Sequence, residues 1–157
     1  MSTARKLPVM SCSRRTVLEL LGAAAIGGLA LVGCADNGAD LPTAATTTCG
    51  SDVCIDLTAA ANATLTQVGG TMMFDSASDK ILVARISATE VIALSAVCTH
   101  AGCIVDYNAS AQRIDCGCHG SEFSLDGAVL HGPAARPLTA YSATLANDTI
   151  TVVAQAS

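Results

Sequence analysis

Two short segments, CTHAGC at 98–103 and CGCHGS at 116–121, constrain this 157-residue chain more than any other feature. The first offers Cys98 and His100, the second Cys116 and His119, with fifteen residues lying between His100 and Cys116. Thiolate and imidazole are the side chains that hold soft and borderline transition metals. Two C-x-H and C-x-x-H half-sites of this kind can hold one metal centre, so any fold of this chain has to set the two segments side by side.

Ahead of them, residues 1–33 read as a targeting segment. Arg5, Lys6, Arg14 and Arg15 form a basic start, and Leu20–Gly33 follows as an apolar run without charge. Ser13-Arg14-Arg15-Thr16-Val17-Leu18 resembles the twin-arginine export signal, with Val17 where an aromatic is usual and Glu19 where Lys is common. Leu31-Val32-Gly33-Cys34 resembles a bacterial lipobox, whose Cys is lipidated and becomes the mature N-terminus. The run of 14 residues is short of the roughly 20 a spanning helix needs, which favours a lipidated Cys34 over an uncleaved anchor or a cleaved soluble product. Residues 35–48 (ADNGADLPTAATTT) have little to bury and extend this into a flexible tether, 34–53. One folded domain, 54–157, accounts for the rest.

Charge divides along the same line. Residues 1–33 carry +3, and the remainder, with Lys80, Arg85, Arg113 and Arg136 against twelve acids, carries −8. Nucleic acid is not expected as a partner, since phosphate requires the opposite sign. A basic or neutral protein partner is the more natural one for so acidic a domain.

The domain reads as all-β. Val/Ile/Thr-rich runs of three to eight residues alternate with turn signals, and no segment sustains a 3.6-residue period. The runs are 64–68, 71–74, 80–87, 90–97, 103–107, 113–115, 122–125, 128–130, 139–145 and 149–153. Asp126-Gly127 and Asn147-Asp148 mark hairpins. An antiparallel β-sandwich of short strands follows.

The two half-sites resemble the cluster-binding boxes of Rieske iron–sulfur proteins, in which two His replace two Cys on one iron of a [2Fe–2S] cluster. The resemblance runs from about residue 64 to 153. It is closest to the Rieske subunits of cytochrome bc-type complexes, departing from them in CGC where CPC is usual, in Phe123, in the short chain and in the lipid anchor. It implies the three-sheet Rieske fold, with Cys98 and Cys116 as thiolate ligands and His100 and His119 as imidazole ligands. It also implies a disulfide between Cys103 and Cys118 that ties the two cluster loops. A local Cys49–Cys54 bridge would complete the pairing in an oxidising compartment, Cys12 being lost with the export segment. Ser121 matches a Ser whose hydroxyl bonds a bridging sulfide. Phe123 stands where high-potential members carry a Tyr bonded to a ligand sulfur, so an intermediate potential is expected. Gly132-Pro133-Ala134-Ala135-Arg136-Pro137 resembles the proline-bearing loop that covers the cluster. A zinc site of two Cys and two His is chemically possible, but such sites do not usually need the paired Cys or the flanking Gly102, Gly120 and Ser121. His131 is given no role.

The resemblance implies an exported, membrane-tethered one-electron carrier on the periplasmic or outer face of the membrane. It would pass electrons from quinol or another donor to a cytochrome or copper protein. The alternative is a small Rieske subunit of a periplasmic oxidoreductase of the arsenite oxidase type, relaying electrons from a large subunit; a structural zinc domain is the least expected. A ring-hydroxylating oxygenase is excluded, because its second iron needs two further His and a carboxylate and only His131 is left over. No nucleophile–base pair or phosphate-cradling Gly-rich loop is present, so turnover by this chain alone is not expected.

Overall fold

Strand alternation organises the structure around a shared wall. In the computed structural model, which describes residues 41–156, β3 (Thr71–Asp75), β4 (Lys80–Arg85) and β5 (Val91–Ser95) form three adjacent antiparallel strands. Successive side chains point to opposite faces of a strand. Met72, Phe74, Ile81, Val83 and Ala93 therefore enter one apolar core, while Met73, Leu82, Ala84 and Leu94 enter another. A strand with a core on each side reads as a continuous apolar run, as ILVA at 81–84 does.

The first core is closed by β2 (Asp52–Asp56), β10 (Ala140–Ala146) and β11 (Thr149–Ala156), and the exposed β1 (Thr47–Cys49) pairs on the outer edge of β2, giving a seven-stranded sheet in the order β1-β2-β11-β10-β5-β4-β3. Asn147 and Asp148 turn between β10 and β11 with φ of 48° and 57°, the left-handed pair that a two-residue hairpin of this hand requires. The second core lies under a four-stranded antiparallel sheet of β6 (Asp106–Asn108), β7 (Arg113–Cys116), β8 (Ser121–Phe123) and β9 (Val129–His131). This small sheet is inserted between β5 and β10. Those two strands pair directly, Leu94 with Ala140 and Ala93 with Tyr141, and so close the base of the insertion. The all-β expectation holds, but two sheets stand in place of the three expected, because the β5–β10 pairing makes the seven large-sheet strands continuous. Two further differences lie in detail.

Residues 64–68 do not form a strand. Ala60–Thr66 is a 3₁₀ helix that buries Asn62 and Leu65, three apart and so on one side. The Asn62 amide accepts from Ala45 N at 2.8 Å and donates to Ala45 O and Asp56 O at 2.9 Å each. That side chain does the work of a neighbouring strand edge and satisfies its own buried polar atoms. The second difference follows from the first. The sequence 41–53, expected within a tether, is tied down: Ala44 N donates to Met73 O, Met73 N donates to Pro42 O, and β1 pairs with β2. Small residues there contribute backbone bonds where they have little side chain to bury. The export-type segment 1–33, with Cys12, and also Cys34 and the tether up to residue 40, lie outside the described residues.

Candidate metal centre

Both half-sites are built alike. In the first, which follows β5, Gly102 N donates to Cys98 O at 2.9 Å; in the second, between β7 and β8, Gly120 N donates to Cys116 O at 3.0 Å. Each bond closes a loop of five residues that begins at the Cys and carries the His. Gly102 and Gly120 have φ of +75° and +79°, and a Cβ at either would meet nothing within 4 Å. The demand for glycine is therefore conformational and not steric.

The four side chains separate into two pairs. Cys98 and Cys116 are each 2% exposed, and they are the free thiols of the described residues. Burial pushes the Cys116 thiol up, and so does its contact with Cys98, while the backbone N–H groups of Cys118 and His119 pull it down. Two thiolates held this close in a buried place repel each other, and a bound cation relieves that repulsion. His100 and His119 are exposed, and their rings meet edge to face, with centroids 4.8 Å apart and planes at 84°. Among the described residues no three His, Cys, Asp or Glu converge as ligands of a single ion. Two buried thiols beside two exposed imidazoles are a donor set that fits a binuclear iron–sulfur group of mixed ligation.

Three ties lock the loops around the pairs. Cys103 and Cys118 form a disulfide with a Cα–Cα separation of 6.5 Å, joining the first loop to the second. Ser121, fully buried, accepts a hydrogen bond from Ala134 N at 3.0 Å and joins the second loop to the one carrying Pro133. Thr99 donates its hydroxyl to Arg136 O at 2.6 Å and joins that loop to the first. Phe123 is wholly buried in the core beneath, on the same side of β8 as Ser121. Thr99 carries no expectation from the sequence, although a hydroxyl set between Cys98 and His100 is the signal that could have drawn attention to it. His131 ends β9, exposed, opposite Glu122 on β8. The second disulfide, Cys49–Cys54, staples the β1–β2 hairpin in the large sheet.

A family model described as the Rieske [2Fe-2S] domain matches residues 57–142. Over 57 residues the chain is 47% identical to the cytochrome b6-f complex iron-sulfur subunit of Synechococcus sp. (strain JA-3-3Ab), covering 36% of this chain and 33% of that one. Over 84 residues it is 34% identical to the subunit of the same name in Chlorobaculum thiosulfatiphilum, covering 54% and 46%. The chain thus spans between a third and a half of the length of these relatives. Among solved structures, the ferredoxin of carbazole 1,9a-dioxygenase from Nocardioides aromaticivorans IC177 superposes with a TM-score of 0.50 at 28% identity, over 55% of this chain and 86% of that one. The cyanobacterial plasma membrane Rieske protein PetC3 from Synechocystis PCC 6803 gives a TM-score of 0.48 at 31% identity, over 53% and 85%.

Proposed function

The chain belongs to the Rieske [2Fe–2S] family, and on that premise we propose that it is an exported, membrane-tethered one-electron carrier of a quinol-oxidising, bc-type electron-transfer chain. Its cofactor is a [2Fe–2S] cluster. In this reading Cys98 and Cys116 hold one iron, and His100 and His119 hold the other. The cluster supplies a one-electron couple whose potential the neutral imidazoles raise above that of all-Cys clusters.

The chain's own residues do the rest. Burial of Cys98 and Cys116 keeps water from the sulfur side, and exposure of His100 and His119 presents the other side to a partner. Ser121 Oγ already accepts the Ala134 N–H, so its own hydroxyl proton is left to donate to a cluster sulfur. The three ties hold both loops in one geometry, which suits a carrier that must change charge without rearranging.

The observation that carries the reading is the pairing of two buried free thiols with two exposed imidazoles on loops joined by a disulfide. The b6-f subunits among the relatives support the bc-type chain; the acceptor would be a cytochrome or copper protein. Export and tethering rest on Arg14, Arg15 and the lipobox ending at Cys34, followed by a tether that meets the paired backbone near Pro42. The test is a redox titration of the purified protein followed by EPR, with mass analysis of its N-terminus. A rhombic signal from the reduced protein, a midpoint well above that of plant-type ferredoxins and a diacylated Cys34 are expected. A midpoint near about −400 mV, the plant-type value, would contradict the quinol-linked, bc-type assignment, and an intact N-terminus would contradict the lipid anchor.

A further inference from the structure

The loops that carry His100 and Pro133 are rooted in the large sheet, and both roots meet at one carboxylate. β5 runs through Ser95 into Ala96, Val97 and Cys98, and the Pro133 loop re-enters the sheet at Thr139, two residues before Tyr141. Ser95 N donates to Thr139 O at 2.8 Å, so the two roots lie side by side. Asp79, in the turn between β3 and β4, reaches both. Its Oδ1 accepts the Ser95 hydroxyl at 3.1 Å and Lys80 N at 2.8 Å, and its Oδ2 accepts the Tyr141 hydroxyl at 2.8 Å. Ser95 Oγ in turn accepts Val97 N at 3.2 Å, one residue before the ligand Cys98.

The turn that holds this carboxylate is itself fixed. Ser76 N and Ser76 Oγ donate to Asp79 O at 2.8 and 2.9 Å, and Asp79 N donates back to Ser76 Oγ at 3.0 Å. Ala96 N adds a bond from the first root to Lys80 O at 2.7 Å. Among the described residues no cation pairs with Asp79, and its neighbour Lys80 turns its ammonium to Asp75. A half-buried carboxylate without a counter-ion carries a desolvation cost that a neutral side chain would avoid. In return its two oxygens hold two roots from one point, through bonds about twice as strong as neutral ones.

Resting on the electron-carrier reading, we propose that Asp79 is a positioning residue for the cluster, setting the first loop and the Pro133 loop against one another through Ser95 and Tyr141. The three ties described above join loop to loop. Loops tied only to each other can still tilt as a unit on strands of three or four residues. Asp79 joins two of them to the large sheet and removes that freedom. It acts on Cys98 through Ser95 and Val97.

The test uses the full-length, cluster-loaded protein, reading the EPR line widths of the reduced cluster and the half-life of the bound cluster. Release of a cluster requires its loops to part, so Asp79→Ala should shorten the half-life about ten-fold, the size of one hydrogen bond to a charged acceptor. It should also broaden the lines as loop geometries multiply. Asp79→Asn keeps an acceptor for Ser95 and Lys80 N and offers a donor to the Tyr141 oxygen, so it should restore both readouts. Ile81→Ala, destabilised away from this network, should keep wild-type line widths. Should Asp79→Ala not fold, Ser95→Ala removes the first-loop bonds alone, and it too should broaden the lines and shorten the half-life. Wild-type values in a folded Asp79→Ala or Ser95→Ala overturn the proposal. So does equal broadening in Asp79→Ala and Ile81→Ala, or an Asp79→Asn that behaves as the Ala variant does. A wild-type chain that takes up no cluster overturns the electron-carrier reading instead, and with it this role of Asp79.

Discussion

The large sheet and the cluster-bearing sheet are held in place by different physics. β4, β10 and β11 run for six, seven and eight residues, and the wall of β3, β4 and β5 is clad with apolar side chains on both faces. Its order is spread over many contacts, each replaceable at modest cost. The small sheet has strands of three or four residues, too short to fix loops by pairing alone. Its loops depend instead on a few specific bonds: the Cys103–Cys118 disulfide, Ser121 to Ala134 N, and Thr99 to Arg136 O. The large sheet supplies stability, and the small one supplies geometry. Damage to the two regions should therefore show in different observables.

The sharpest break comes at the thiols. Cys116→Ser should abolish the cluster signal while the far-UV circular dichroism of the β fold persists; loss of both would show that the fold depends on the cluster. The converse is Ile81→Ala, which empties a fully buried position of the large core. It should lower unfolding stability by about 2–5 kcal/mol and leave the midpoint potential of the folded protein unchanged.

The two disulfides separate the regions again. For loops of their lengths the chain-entropy estimate is about 3 kcal/mol for Cys103–Cys118 and about 2 kcal/mol for Cys49–Cys54, whose sequence separations are 15 and 5. Replacing Cys103 and Cys118 by Ala should shorten the lifetime of the bound cluster. Replacing Cys49 and Cys54 should cost stability and leave that lifetime as it was. Equal cluster lifetimes in the two double variants would erase the distinction drawn between the sheets.

A smaller effect tests the polar tuning of the centre. Phe123→Tyr adds a donor beneath the cluster and should raise the midpoint by roughly 50 mV, about the worth of one net hydrogen bond. Ser121→Ala should lower it. An unchanged or lower potential in Phe123→Tyr would show that the position does not reach a sulfur.

The weakest expected effect belongs to the large sheet. Tyr141 donates to Asp79 Oδ2 at 2.8 Å, and burial, then this bond, pushes its phenol from 10.0 up to about 12. The folded state thus holds the proton more tightly than the unfolded chain. The stabilisation is fully present below pH 10 and is lost as pH rises from there through about 12. Unfolding measured across that window should show the loss in the wild type and not in Tyr141→Phe.

What the sequence revealed follows the same division. The cluster loops were legible because each half-site carries its Cys and His within four residues, and the glycine that closes each loop sits in the same segment. The strands from Thr71 to Val97 were legible as apolar runs, although which side chain enters which core depends on register. The tie from Thr99 to Arg136 was not legible, since a hydroxyl reaching a carbonyl 37 residues away leaves no pattern. Nor was the burial of Asn62, whose amide replaces a strand edge that composition would assign to an apolar residue. For the same reason Leu65 reads as part of a strand and is found in a 3₁₀ helix.

The central claim is that two imidazoles and two thiolates hold the cluster, and pulsed EPR of the reduced protein tests it most directly. The chain has three His, at 100, 119 and 131, so ¹⁵N labelling of histidine isolates their contribution. Two strongly coupled nitrogens that change with the label, and that remain in His131→Ala, are the result this account requires. A spectrum without histidine nitrogen coupling, or with a single such nitrogen, would contradict it.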